Sequence, residues 1–178
     1  MKTSDTEIEL FLEQHWTTLT RFVSSLSGDI SNAEDLLQNA LVSCYPKWNT
    51  IAPGRHEAYI KVVIVREHIA RWRRRRWREI IVDTSVIEPL IDDHQNATAT
   101  SDLVWRAMRR LPVRQSTALT LRFAMDWPIN DVAVAMRIPS GTVKSLCARG
   151  LESLKIDPDL TEFQFYFNSE TSEVDHNA

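Results

Sequence analysis

A chain of 178 residues with 43% hydrophobic side chains can bury one sizeable core or two small ones without disulfide staples. Its two cysteines, Cys44 and Cys147, are too few and too distant for a disulfide framework or a cysteine-based metal cluster, and a reducing compartment is expected. The net charge of −3 hides alternating blocks: residues 51–80 hold 9 basic and 3 acidic side chains, whereas residues 157–178 hold 6 acidic ones and no lysine or arginine.

The opening MKTSDTEIELF has no basic segment followed by a long apolar run, so no signal peptide is expected. No apolar stretch approaches the roughly 20 residues that span a bilayer, which predicts a cytoplasmic chain without membrane insertion. Ile8, Phe11, Leu12, Trp16, Leu19, Phe22, Val23 and Leu26 recur at three- and four-residue steps and predict a first helix. Gly28-Asp29 breaks it. Ser31, three residues before Glu34, fits a capping box that opens a second helix. The stripe of that helix is Ala33, Leu36, Leu37, Ala40, Leu41 and Cys44, and Pro46 predicts its end near Tyr45.

Pro53-Gly54 marks a loop. A long helix follows from Glu57. The run Val62–Val65 has strand propensity, but Tyr59, Val62 or Val63, Arg66, Ile69 and Arg73 keep helical spacing and no turn signal precedes Arg78. Residues 81–100 are polar and aperiodic, as in a linker. Ser101 or Asp102 can cap the next helix, with Leu103, Val104, Ala107, Met108 and Leu111 expected to pack. Pro112 then starts VRQSTALTLRFAM. Two short helices, INDVAVAM and GTVKSLCARGLESL, are separated only by RIPS. After Asp157-Pro158 an acidic tail contains FQFYF. The expected fold class is all-α: two small helical domains, 1–80 and 101–156, joined by a flexible linker at 81–100 and followed by a tail at 157–178.

The pair of short helices has helix-turn-helix character, in which the second helix enters the major groove. Val132, Ala133 and Met136 are expected to face inward, Ile138 to fill the turn, and Val143, Cys147, Leu151 and Leu154 to line one face of the second helix. Ala133 and Gly150 are small enough for close helix approach. The opposite face offers Ser140, Thr142, Lys144, Ser145, Ala148 and Arg149, whose polar groups suit base edges and phosphates. An ordinary helical hairpin fits the same pattern.

RWRRRRWRE, residues 71–79, holds 6 arginines. A solvated face or an import signal is the plain reading of such a run. Tryptophan interleaved with arginine adds base stacking to phosphate neutralisation. Positions 72 and 77 lie about 140° apart on a helix, so Trp72 is expected in the core or at a hinge and Trp77 at the surface. Enzyme readings find no support. His15, His56, His68, His94 and His176 lack metal-ligand spacing. PSGTVKS lacks the other glycines of a phosphate loop. No catalytic triad can be assembled, so no catalysis, metal or cofactor is expected.

Three motifs in order, NAEDLLQNAL at 32–41, AYIKVVIVREHIARWRRRR at 58–76 and DVAVAMRIPSGTVKSLCARGLESL at 131–154, resemble a bacterial extracytoplasmic-function sigma factor of the sigma-70 family. The likeness is strongest to the actinobacterial sigma-E-like branch and spans roughly residues 5–156. It implies a transcription initiation factor whose partners are bacterial RNA polymerase core enzyme and promoter DNA, with an anti-sigma factor as a further partner. The first domain would dock on polymerase through Asp35, Leu36, Gln38 and Asn39. It would bind and melt the −10 element through His56, Tyr59, Arg66, Arg71, Arg73, Arg74, Arg75 and Arg76. The second would read the −35 element through Ser140, Thr142, Lys144, Ser145 and Arg149. Melting would be driven by capture of unstacked bases and by backbone neutralisation.

The chain departs from the family pattern at several positions. Arg66 replaces the usual asparagine of the melting helix, Asn39 replaces an acid, and Leu146 replaces an arginine. Pro128 and Pro139 replace capping serines, which leaves Ser140 to cap the last helix. The acidic tail has no counterpart in the family. It would be disordered, or its FQFYF would dock while its acids shield a basic surface, a choice that deletion of residues 158–178 would settle by promoter affinity. A stand-alone helix-turn-helix regulator and an RNA-binding adaptor are the competing readings, and stable binding to core polymerase separates them from a sigma factor.

Overall fold

Apolar residues at three- and four-residue steps become helix in every regular segment of the computed structural model, which describes residues 2–27, 30–81 and 99–161. The first unit holds α1 (Lys2–Ser27), α2 (Ile30–Cys44), a 3-10 turn (Tyr45–Thr50) and α3 (His56–Ile81). The second holds α4 (Ala99–Arg110), α5 (Val113–Leu119), a π turn (Thr120–Ala124), α6 (Ile129–Met136) and α7 (Ser140–Lys155). Both expected helical domains are present. The linker expected at 81–100 falls almost wholly outside the described residues, as does most of the tail.

Leu19, Val23, Leu37, Ile60, Ile64 and Val65 form the centre of the first unit, with Trp48 closing one end. Truncating one of the larger of these to alanine would cost about 2–5 kcal/mol. The stripe of α1 runs through His15 rather than Trp16. Phe11, His15 and Leu19 follow one another at four-residue steps, which leaves Trp16 47% exposed. His15 stacks on Phe11 with ring centroids 4.3 Å apart, and its Nδ1 lies 3.0 Å from Glu57 on α3. Helix α2 starts one residue before Ser31, so Ser31 lies in its first turn rather than ahead of it. Pro46 stops α2 as expected and tightens the chain into the 3-10 turn that carries Trp48 inward.

The second unit is built on Ala107, Leu121, Val132, Ala135 and Val143. Val104 and Leu151, expected to pack, are 42% and 41% exposed, because the short helices α5 and α6 cover less than the full apolar arc of α4 and α7. The expected helix from Pro112 to Met125 widens midway. The Met125 N–H reaches the Thr120 carbonyl at 3.0 Å, a five-residue step. Beyond it Asp126 adopts φ +52, and Trp127 is swung toward the first unit. The buried side chains of both units make one continuous cluster, from Leu19 through to Cys147.

Candidate nucleic-acid interface

Helices α6 and α7 are set by a short turn. Arg137 ends α6 in the left-handed region at φ 53°, the Ile138 N–H returns to the Ala133 carbonyl at 3.0 Å, and Pro139 precedes α7. Ser140 is the first residue of α7 and makes no capping bond, which corrects its expected role; proline fixes the entry in its place. Gly150 lets α7 lie close on α5, since a Cβ there would sit 2.7 Å from Leu119 Cδ1. Val143 and Cys147 are therefore held inward, while Thr142, Lys144, Ser145, Ala148 and Arg149 are exposed along the opposite face and Ser140 is half-buried. The Ser145 hydroxyl donates to the Gly141 carbonyl at 3.1 Å. No carboxylate among the described residues pairs with Lys144 or Arg149.

The second basic face lies on α3 and is partly covered. Tyr59, Val63, Arg66, Ile69 and Arg73, the stripe read from the sequence, line a cleft between the two units. Ile60, Ile64 and Val65 face the core instead. Arg66 spans the cleft: its Nε donates to the Ala135 carbonyl at 3.2 Å and its Nη2 to the Val134 carbonyl at 3.1 Å. These acceptors belong to the last turn of α6, where the helix end is negative, and the Val134 carbonyl also accepts from the Arg137 N–H at 3.3 Å. Burial, with Arg137 nearby, lowers the pKa of Arg66 below its ordinary value. A stack of Phe22 on Trp127, with centroids 5.7 Å apart, closes the other side of the contact.

The remaining residues expected at the −10 element separate. His56 stacks on Trp48 at 4.3 Å and its Nε2 lies 3.3 Å from the Trp48 carbonyl, so its ring braces the start of α3. Arg71 turns away from the cleft toward α2, bonding Asp35 Oδ2 at 3.2 Å and Asn32 Oδ1 at 3.3 Å. Arg74 meets Glu67 at 3.6 Å. Arg73 faces the cleft. The side chains of Arg75, Arg76 and Trp77 lie outside the described part of the structure. Trp72 is 38% exposed, not a core residue: the face of α3 that packs on α1 and α2 is taken by Ile60 and Ile64 further back.

On α2, Asp35, Gln38 and Asn39 are exposed, and the Asn39 amide donates to the Asp35 carbonyl at 2.8 Å. Leu36, expected on the same docking surface, is only 2% exposed; it supports α2 from within the core. The sequence reading also missed three cations. Lys47, Arg114 and Arg137 line the same cleft as Arg66 and Arg73, although they lie on segments far apart in the chain.

The second unit extends past its expected boundary at 157. Arg110 donates from Nε to Asp157 Oδ2 at 2.9 Å and from Nη2 to Asp157 Oδ1 at 2.6 Å, and it also meets Asp159 at 2.8 Å. This fork holds Asp157 in place with 9% exposure and pulls its carboxyl pKa below the ordinary value. Burial raises the Cys44 thiol to about 11 and raises Cys147 as well, so both are neutral thiols. No helix among the described residues is long and apolar enough to cross a membrane.

Comparison with known proteins matches these two units in the same order. The Sigma-70 region 2 family model matches residues 11–78, and the Sigma-70, region 4 model matches residues 101–154. The RNA polymerase sigma-E factor of Streptomyces avermitilis is 29% identical over 150 residues, covering 84% of this chain and 83% of that protein. That of Streptomyces coelicolor is 29% identical over 150 residues, covering 84% of each. The ECF RNA polymerase sigma factor SigL of Mycobacterium tuberculosis H37Rv is 24% identical over 151 residues, covering 81% of this chain and 84% of SigL. Among solved structures, the sigma factor RpoE in complex with the anti-sigma factor NepR, from Bartonella quintana, matches with a TM-score of 0.65 at 25% identity, covering 85% of this chain and 98% of the matched chain. With both regions matched in sequence order and their helices folded into the two units described above, the chain belongs to the sigma-70 family, among its extracytoplasmic-function members.

Proposed function

We propose that this chain is a promoter-directing sigma factor that recruits bacterial RNA polymerase core enzyme and acts by differential binding rather than by catalysis, in the cytoplasm. The observation that carries this reading is a helix-turn-helix whose outward face is polar and, among the described residues, meets no carboxylate partner, in the position of region 4. Thr142, Lys144, Ser145 and Arg149 contact the −35 element, with Ser140 at its edge. Tyr59, Arg66 and Arg73 serve the −10 element, joined by Arg74, Arg75 and Arg76 along the backbone. Asp35, Gln38 and Asn39 form the polymerase contact, and Arg71 fixes Asp35 within it.

Region 4 holds Arg66, so the two units must separate before this part of α3 meets a melted strand. An anti-sigma factor that favours the covered arrangement would act as a repressor, in keeping with the NepR-bound RpoE neighbour. The units correspond to residues up to about 81, a linker, and a second unit that continues to Thr161.

The test is reconstitution with bacterial core polymerase followed by run-off transcription from a genomic library. Stable association and discrete start sites are expected. A chain that binds DNA but never core enzyme would instead be a stand-alone regulator.

A further inference from the structure

The cleft between the two units has a volume of about 440 Å³, within the usual size range of small-molecule sites. Its lining carries five cations, Lys47, Arg66, Arg73, Arg114 and Arg137, against one carboxylate, Glu67. Glu67 is already engaged by Arg74. Arg66 is committed to the carbonyls of α6. No carboxylate among the described residues pairs with Lys47, Arg73, Arg114 or Arg137. Lys47, Arg73, Arg114 and Arg137 are exposed, and like charges gathered in one cleft repel one another. The cations come from both units: Lys47 and Arg73 from the first, Arg114 and Arg137 from the second. Repulsion between them opposes the packing that brings them together.

We propose that this cleft binds a polyphosphate chain, free or carried on a nucleotide, through Lys47, Arg73, Arg114 and Arg137, and that the bound anion holds the two units together. A compact anion with several charges reaches cations on both walls at once, whereas a single phosphate satisfies one wall. Val63, Ile69 and Met136 supply the apolar part of the same lining. Tyr59 in the lining offers a ring for a nucleotide base. Because the anion binds only where both walls are present, it stabilises the covered arrangement by mass action.

The full-length chain is titrated by calorimetry with sodium triphosphate at constant ionic strength, with donor and acceptor dyes on the two units to report closure. One site per chain and an increase in energy transfer are expected, with orthophosphate binding at least ten-fold more weakly. Arg114→Gln with Arg137→Asn should weaken triphosphate binding at least ten-fold. Arg106→Gln with Lys155→Gln, the same loss of charge away from the cleft, should leave it unchanged. Equal affinity for triphosphate and ATP assigns the site to the phosphate chain alone; tighter ATP binding adds the base. No saturable binding, equal weakening by both double variants, or binding without closure would overturn the proposal. Neither polymerase nor promoter enters the experiment, so its outcome is independent of the transcription assay.

Discussion

The polar face of α7 and the cleft face of α3 carry the same kinds of side chain to opposite effect. On α7, Thr142, Lys144 and Arg149 stand in solvent while the apolar side of the helix is locked down by Gly150 against Leu119. On α3, Tyr59, Arg66 and Arg73 face a second domain, and Arg66 spends its donors on that domain's backbone. One surface stands open; the other is covered by the second unit. The helix that covers α3, α6, is also the helix that braces α7. A single short element therefore supports the open face and covers the other.

The largest effect that would sharpen this contrast is on duplex affinity. Lys144→Ala with Arg149→Ala should weaken binding to a −35 duplex roughly 100-fold in the free protein, from about 1–3 kcal/mol for each lost contact, with no change in Tm. The same measurement on Arg73→Ala should show little change while α3 remains covered. Equal losses would mean that both faces are open, and the contrast would collapse.

Acid should separate the two units next. Burial, with Arg71 nearby, lowers the His68 pKa from 6.5 to about 4. The unfolded chain then binds a proton that the folded chain refuses, so this stability is complete above pH 6.5 and is lost as pH falls toward 4. Asp157 behaves differently: its pKa is depressed below 3.8 by Arg110, so its contribution persists above 3.8 and is lost at lower pH. Urea unfolding at pH 7 and pH 4.5 should show His68→Gln sparing about 2 kcal/mol of the acid loss. An identical loss in both proteins would place the acid sensitivity elsewhere.

The smallest effect belongs to the latch. Arg66→Ala removes two charge-assisted bonds to carbonyls and should favour separation of the units by about 1 kcal/mol, near five-fold in population. Small-angle scattering of the free protein should then give a larger radius of gyration, and Arg66→Lys, which lacks the planar fork, should not fully restore it. An unchanged radius would show that the stack of Phe22 on Trp127 suffices to hold the units.

Local pattern was enough for the helices but not for their partners. The limits of α6 follow from Pro128 and the apolar spacing of Val132, Ala133 and Met136, and they match the structure residue for residue. The small size of Gly150 likewise announced a close approach. Periodicity misjudged Trp16, Leu151 and Val104, because exposure depends on the width of the neighbouring element. Leu36 could not be at once a stripe residue and a docking residue, and burial decides for the first. The acceptors of Arg66 lie 68 and 69 residues away in the chain and are carbonyls, so no motif marks them. The same separation concealed Lys47, Arg114 and Arg137. Their meeting depends on how the units pack, which helix periodicity does not encode.

The bond from Arg66 to α6 has one more consequence. Positions that vary together across related genes betray contacts between side chains, because a change on one side demands an answer on the other. Main-chain oxygens are the same in every residue. Exposed Val134 can therefore change while the clasp endures, and Ala135 answers only to the core it fills, so neither side chain records the contact.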